Sequence, residues 1–406
     1  MATTELRPVS AAARLENVRY AIRDLAVLAE EVTRTGKTIL PLNIGDPLKF
    51  DFATPVHMVE AVAKAMRDGK NGYAPSSGIA EAVTAIRGEA DRKGIRNVQD
   101  IFVTSGVSEC VDICLAALLN EGETVLTPSP EYPLYSAVLT KLEAPIYPYD
   151  LDEENGWAPD LEQIESRINS PRGPKVRGIV VINPNNPTGA LYSRETLQKI
   201  IDLARRYNLV IFADEIYDKL LLDAKPHIPL ASLASDVTIV TFGGLSKSYL
   251  APGWRIGWGI VSGDTTCSKQ YVEAINKLLR SRLCASQPMQ WAIKPALDGP
   301  QDHLKEVCAK LRTRRDITME WVKSDPRVTC VKPEGAFYAF PKIEIPEDDL
   351  SFVTKVLREK HVLVVHGSGF GQKPGTNHFR SVFLPQDDVL RKAYRSISEF
   401  MDEHYK

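Results

Sequence analysis

Four short segments of the 406-residue chain place reactive or anion-binding groups directly after apolar, β-branched runs. Ser105-Gly106-Val107-Ser108-Glu109 follows the run Ile101 to Thr104 and opens a predicted helix. Its first backbone N–H groups and the Ser108 hydroxyl can hold a phosphate, although the same residues also read as an ordinary capped helix start. Asn183-Pro184-Asn185-Asn186-Pro187-Thr188-Gly189 has two X-Pro steps and a terminal glycine that fix an irregular path presenting Asn side chains; taken alone it is a turn-rich loop. Asp214 and Tyr217 follow Leu209-Val210-Ile211-Phe212-Ala213. A carboxylate at the end of a buried strand costs desolvation energy unless a cationic or hydrogen-bonding group meets it, so Asp214 demands a partner. Phe242-Gly243-Gly244-Leu245-Ser246-Lys247-Ser248, followed by Gly253-Trp254-Arg255-Ile256-Gly257, puts an amine at a Gly-rich strand exit. A lone lysine there is ordinarily solvated. Together with the other three loops it reads as functional, because ligands of open α/β sheets gather beyond the carboxyl ends of the strands.

The elements that must position these residues are also legible. Ile101 to Thr104, Thr124 to Thr127, Val176 to Ile182, Leu209 to Ala213, Val237 to Phe242 and Ile256 to Val261 have the composition of buried strands. Between the third and fourth, Ser193 can cap a helix with apolar Leu197, Ile200, Ile201 and Ala204 three and four residues apart. This βαβ pattern predicts an α/β fold with a mainly parallel sheet covered by helices on both faces. From about residue 290, long helical stretches surround short strand candidates at Ala336 to Phe340, Val362 to Val365 and Phe379 to Phe383. The division expected is an arm and lead-in over 1–45, a large domain over 46–290 and a smaller α+β domain over 291–406.

The 50 basic and 52 acidic residues nearly cancel, which gives no footprint for nucleic acid or an acidic membrane. Cys110, Cys114, Cys267, Cys284, Cys308 and Cys330 form no C-x-x-C pair and have no metal-binding histidine motif nearby, so neither zinc nor another metal is expected. With no apolar leader and no spanning run, the chain reads as cytoplasmic with reduced thiols. Gly36-Lys37-Thr38 resembles the end of a phosphate-binding Walker loop, but position 31 is Glu where the first glycine belongs. Gly367-Ser368-Gly369-Phe370-Gly371 lacks the dinucleotide-binding spacing and comes too late in the chain to open such a unit.

N-I-G-D-P at 43–47, N-P-N-N-P-T-G, A-D-E-I-Y, G-L-S-K, G-W-R-I-G-W and H-F-R at 378–380 together resemble the fold-type-I aminotransferases of class I/II, and among them the bacterial alanine (glutamate–pyruvate) type. The similarity runs from about Leu15 to the C-terminus. It implies a seven-stranded, mainly parallel sheet and pyridoxal 5'-phosphate as cofactor. Lys247 is then the residue that holds the cofactor as a Schiff base and shuttles the proton. Asp214 pairs with the pyridine nitrogen, Asn186 and Tyr217 bond the phenolic oxygen, and Tyr132 stacks on the ring. The phosphate falls to Val107, Ser108, Ser246 and Arg255, with Tyr73 reaching across a homodimer interface. Arg380 clamps the substrate α-carboxylate, beside Asn186 and a Gly45 that lets the backbone approach. Arg282 stands where dicarboxylate-selective relatives bind a distal carboxylate, though it also reads as a helix-end arginine; Tyr20 covers a small side chain or packs the arm. Gly244 departs from the many members that carry a phosphate-binding Ser there. The implied reaction is transfer of an amino group from a small L-amino acid, alanine, to 2-oxoglutarate. Aminotransferases of other specificity and a C–S β-lyase of the same fold are the alternatives.

Overall fold

The structure is a computed structural model and describes residues 8–18 and 21–405; Tyr20 lies outside the described residues. Eight strands form the central sheet: β1 Val98–Thr104, β2 Glu123–Ser129, β3 Tyr147–Asp152, β4 Ala158–Pro159, β5 Lys175–Ile182, β6 Val210–Asp214, β7 Ile239–Gly244 and β8 Gly257–Ser262. Their order is β1-β8-β7-β6-β5-β2-β3-β4. The run from β7 to β3 is parallel, β8 is antiparallel to both of its neighbours, and β4 is an antiparallel edge. All six apolar runs read from the sequence are strands. The seven-stranded expectation meets seven strands of five residues or more, plus the two-residue β4. β3 has no counterpart among those runs because Pro148, Asp150 and Asp152 interrupt its apolar pattern and several of its side chains are only half-buried.

The strands are apolar throughout because both faces are covered. Val180, Ile182, Phe212, Val240 and Phe242 pack with Cys110, Cys114 and Leu115 of α1 (Val107–Leu118) and with Tyr135 of α2 (Leu134–Lys141). The alternate residues Ile179, Val181, Ile211, Ala213 and Ile239 pack on the opposite face with Leu197, Ile200, Ile201 and Ala204 of α3 (Arg194–Tyr207). Ser193 caps α3 as its position predicts, its hydroxyl accepting from Thr196 N. Ile182 is in register with Asp214, and Asp214 with Phe242, so three chemistry-bearing loops leave the sheet along one edge.

In the C-terminal part, Tyr338–Ala339, Phe379–Val382 and Val365–His366 form a small antiparallel sheet, packed by helices Asp302–Ser324, Asp349–Lys360 and Asp387–His404. The lead-in segment joins this part: Leu40–Pro41 pairs in parallel with Val362–Leu363. No described helix is long and apolar enough to cross a membrane.

A largely buried ionic cluster anchors the turn that carries Asp214 and Tyr217. Lys93 Nζ lies 2.6 Å from Asp218 and 3.7 Å from Glu215, whose other oxygen accepts from Leu230 N at 2.8 Å. Removing the cation strands two carboxylates in a poorly solvated place, so Lys93→Ala is expected to cost about 2 kcal/mol of stability, discounted for the partial exposure of the lysine. Thermal unfolding should show a loss of several degrees; an unchanged midpoint would mean that the cluster anchors nothing.

Candidate active site

At that edge lies a cavity of about 280 Å³ whose wall includes Gly45, Val107, Ser108, Tyr132, Asn186, Asp214, Tyr217, Ser246, Lys247, Arg255 and Arg380. Eleven of the fourteen residues named from the sequence as site residues thus meet in one place. Lys247 sits in the bend after β7, held there by Leu250 N donating to its carbonyl at 3.2 Å. Its Nζ donates to Gly45 O at 2.8 Å and lies 5.5 Å from the centre of the Phe337 ring. Burial first, and the Arg380 guanidinium second, bring its pKa down to about 8. Asp214, the last residue of β6, is 4% exposed. Tyr135 donates its hydroxyl to Oδ2 at 2.9 Å and Ile216 N donates to Oδ1 at 3.3 Å, which supplies partners that the desolvation argument required. Burial still raises the pKa to about 6, opposed chiefly by the Tyr135 hydrogen bond.

The segment after β1 is built as an anion cradle. Gly106 precedes α1 with φ +82°, and no side chain caps the helix start, so its leading N–H groups are left for a ligand. A Cβ on Gly106 would strike the Arg255 guanidinium, and one on Gly257 would lie 2.5 Å from Val107 N. Arg255 itself has φ +52°, rare for a side chain of its kind, and donates to Pro252 O at 3.0 Å. The glycines therefore let an arginine, a helix N-terminus and the hydroxyls of Ser108 and Ser246 close on one small volume. A Cβ at Gly244 would sit 2.9 Å from Ile256 O, so a larger residue there, serine included, would have to displace the backbone.

Arg380, on the small antiparallel sheet, is 1% exposed. It donates to Asn43 O at 2.6 Å and to Asn186 Oδ1 at 3.1 Å, and lies 4.6 Å and 4.7 Å from the ring centres of Tyr338 and Phe370. This geometry holds a charged fork at the cavity wall, suited to a carboxylate. Tyr217 and Tyr338 share a hydroxyl hydrogen bond of 2.9 Å. A Cβ on Gly45 would strike the Tyr338 hydroxyl, so the glycine is required by packing as well as by access. Asn185 faces away from this group: its Oδ1 accepts from Thr188 N and Oγ1, stitching the loop that presents Asn186.

Three of the residues named from the sequence are not on this wall. Tyr73 is 83% exposed, and Tyr20 is outside the described residues. Arg282 is the residue that ends helix Thr265–Ser281. Its Nη2 donates to Val103 O at 2.7 Å and its Nε lies 3.4 Å from Glu109, whose Oε2 accepts from Ser105 N at 2.7 Å. Within this chain Arg282 braces the anion cradle from behind and does not line the cavity. Arg282→Ala is therefore expected to loosen anion binding at the cradle about tenfold, the scale of one charged hydrogen bond, and to leave KM for dicarboxylic substrates within twofold; a selective rise in that KM would restore the distal-carboxylate reading. Tyr135 and Tyr338 carry no signal of a site role in the sequence, since an aromatic in a predicted core element looks the same whether or not its hydroxyl is used.

Comparison with known proteins places the chain in a family. The profile of the family described as aminotransferase class I and II matches residues 37–397. The glutamate-pyruvate aminotransferase AlaA of Escherichia coli K12 is 38% identical, over 99% of this chain and 100% of that protein. The solved structure of an alanine aminotransferase from Pyrococcus furiosus is 41% identical and superposes with a TM-score of 0.93, covering 97% of this chain and 100% of that one. An aspartate aminotransferase from Rhizobium meliloti, at 27% identity, still gives a TM-score of 0.87 over 97% of this chain and 99% of its own. Four strand-exit loops with the right side chains, brought to one cavity on a fold shared along nearly the whole chain, lead to one conclusion: the chain belongs to the class I and II aminotransferases.

Proposed function

We propose that this protein is a pyridoxal-phosphate-dependent alanine aminotransferase, moving the amino group of L-alanine to 2-oxoglutarate and releasing pyruvate and L-glutamate. The observation that carries the reading is the convergence of an amine with a lowered pKa, a buried carboxylate, an uncapped helix start and a buried arginine on one small cavity. These fit the cofactor group by group. The Gly106–Arg255 cradle suits its phosphate, Lys247 its aldehyde, Asp214 its ring nitrogen, Asn186 and Tyr217 its phenolic oxygen, and Tyr132 its ring face. Bound there, pyridoxal phosphate supplies an aldehyde that condenses with amines and a ring that takes up electron density from a neighbouring carbon.

The protein's own groups do the rest. Lys247 Nζ, with its pKa near 8, is neutral often enough at working pH to accept the proton from the substrate Cα and later return it. Asp214 remains an anion and holds the proton of the ring nitrogen. Arg380 binds the α-carboxylate, aligning the Cα–H bond with Lys247 and using a planar fork that lysine lacks. The apolar wall of Ile44, Ile182, Ile216 and Leu134 excludes water from the proton transfer.

The choice of alanine as donor is supported by the names of the relatives at 38–41% identity. The reading carries a cytoplasmic homodimer, in which the exposed Tyr73 belongs at the subunit interface with its hydroxyl directed to the phosphate site of the partner subunit. Steady-state assays across a panel of amino donors, with 2-oxoglutarate as acceptor, should rank L-alanine first and give the parallel double-reciprocal lines of a two-stage exchange. Clear preference for aspartate, branched or aromatic donors would overturn the alanine assignment, and pyruvate plus ammonia formed from cysteine-type substrates without any keto acid would identify a β-lyase.

A further inference from the structure

Tyr135 is fully buried on α2, one turn beyond Tyr132, whose carbonyl accepts from Tyr135 N at 3.2 Å. The same turn of chain therefore sends one aromatic ring to the cavity wall and another behind Asp214. The surroundings of the second are apolar, with Val180, Ile182, Phe212 and Phe242 in the same cluster. Phenylalanine would fill such a site without leaving a polar atom to satisfy. The hydroxyl present instead meets Asp214 Oδ2 at 2.9 Å, while Oδ1 takes Ile216 N at 3.3 Å.

Resting on the cofactor reading above, we propose that Tyr135 is a positioning residue for the reaction: its hydroxyl fixes the plane of the Asp214 carboxylate and keeps it an anion, so that the carboxylate meets the ring-nitrogen proton of the cofactor. Burial holds the Tyr135 phenol well above its usual range, so the group stays protonated and donates its proton in the bond to the carboxylate. It cannot accept the proton that Asp214 must guard. Each carboxylate oxygen has one protein donor from a different direction, which leaves the carboxylate acceptor capacity toward the cavity but little freedom to turn.

The test compares holoenzyme reconstituted with pyridoxal phosphate or with 1-deazapyridoxal phosphate, which lacks the ring nitrogen, in wild type and Tyr135→Phe. Wild type should prefer the natural cofactor. Tyr135→Phe should lose about tenfold in affinity for it, the scale of one hydrogen bond to a charged group, and nothing for the deaza analogue. In an Asp214→Asn background Tyr135→Phe should add no further loss, and because the two cofactors are compared within one variant, the ratio of their affinities stays readable even if that variant is less stable. Equal losses for both cofactors, or a further loss in the Asp214→Asn background, would reduce Tyr135 to a packing residue; no loss for either cofactor would overturn the proposal. A wild type that does not distinguish the two cofactors would instead bring down the pairing role of Asp214, and Tyr135 with it.

Discussion

Lys247→Ala should abolish turnover, with a residual rate at least about four orders of magnitude below wild type, because one substitution removes both the covalent anchor of the cofactor and the base at Cα. The amine is not a spare surface charge. It sits in a bend after β7, bonds to Gly45 O, and has its pKa pulled to about 8 by burial and by Arg380. The same value fixes a pH dependence. The neutral amine is the nucleophile, so cofactor uptake by the apoprotein should rise close to tenfold per pH unit below about 8 and level off above it. Single-turnover rates and reconstitution followed by absorbance would check both; residual activity above about 1% in Lys247→Ala would contradict the assigned role.

The second large effect belongs to Asp214. Asp214→Asn keeps the shape and can still accept from Tyr135, but it removes the charge and turns an amide toward the ring nitrogen. An amide N–H there favours the unprotonated ring, which no longer draws electrons from the substrate carbon. A loss of the order of 10³ in kcat follows from about 4 kcal/mol of electrostatic stabilisation, the scale of a broken buried ion pair. Asp214→Glu keeps the charge at the wrong distance and should fall between the two. In the cofactor-free protein the raised pKa of about 6 places the carboxylate form above that pH, so cofactor affinity should weaken as pH falls below 6. A full-rate Asp214→Asn enzyme in stopped-flow assays would remove the carboxylate from the mechanism.

Much of the fold and of the site is legible in the sequence. Continuous apolar, β-branched runs mark six strands, because successive residues such as Val180 and Val181 bury opposite faces of a sheet covered on both sides. Gly-rich and Pro-rich exits marked the loops that carry the site. The strand Tyr147–Asp152 was hidden because its proline and two aspartates imitate a loop while its partner β2 supplies the pairing. Tyr135 and Tyr338 were invisible as site residues for a different reason: their hydroxyl partners, Asp214 and Tyr217, lie 79 and 121 residues away in sequence. Arg282 shows the converse. Its position fits a substrate contact and a helix-end arginine alike, and within this chain its guanidinium is engaged by Val103 O and Glu109, a commitment that only the packing of helix Thr265–Ser281 against β1 reveals.

The most direct measurement is peptide mapping by mass spectrometry after borohydride reduction of the cofactor-loaded protein. A single pyridoxyl adduct is expected on the peptide containing Lys247, together with loss of the visible absorbance band. An adduct on any other lysine, or a yellow Lys247→Ala protein that still reduces to a stable adduct at wild-type yield, would contradict the role assigned to Lys247.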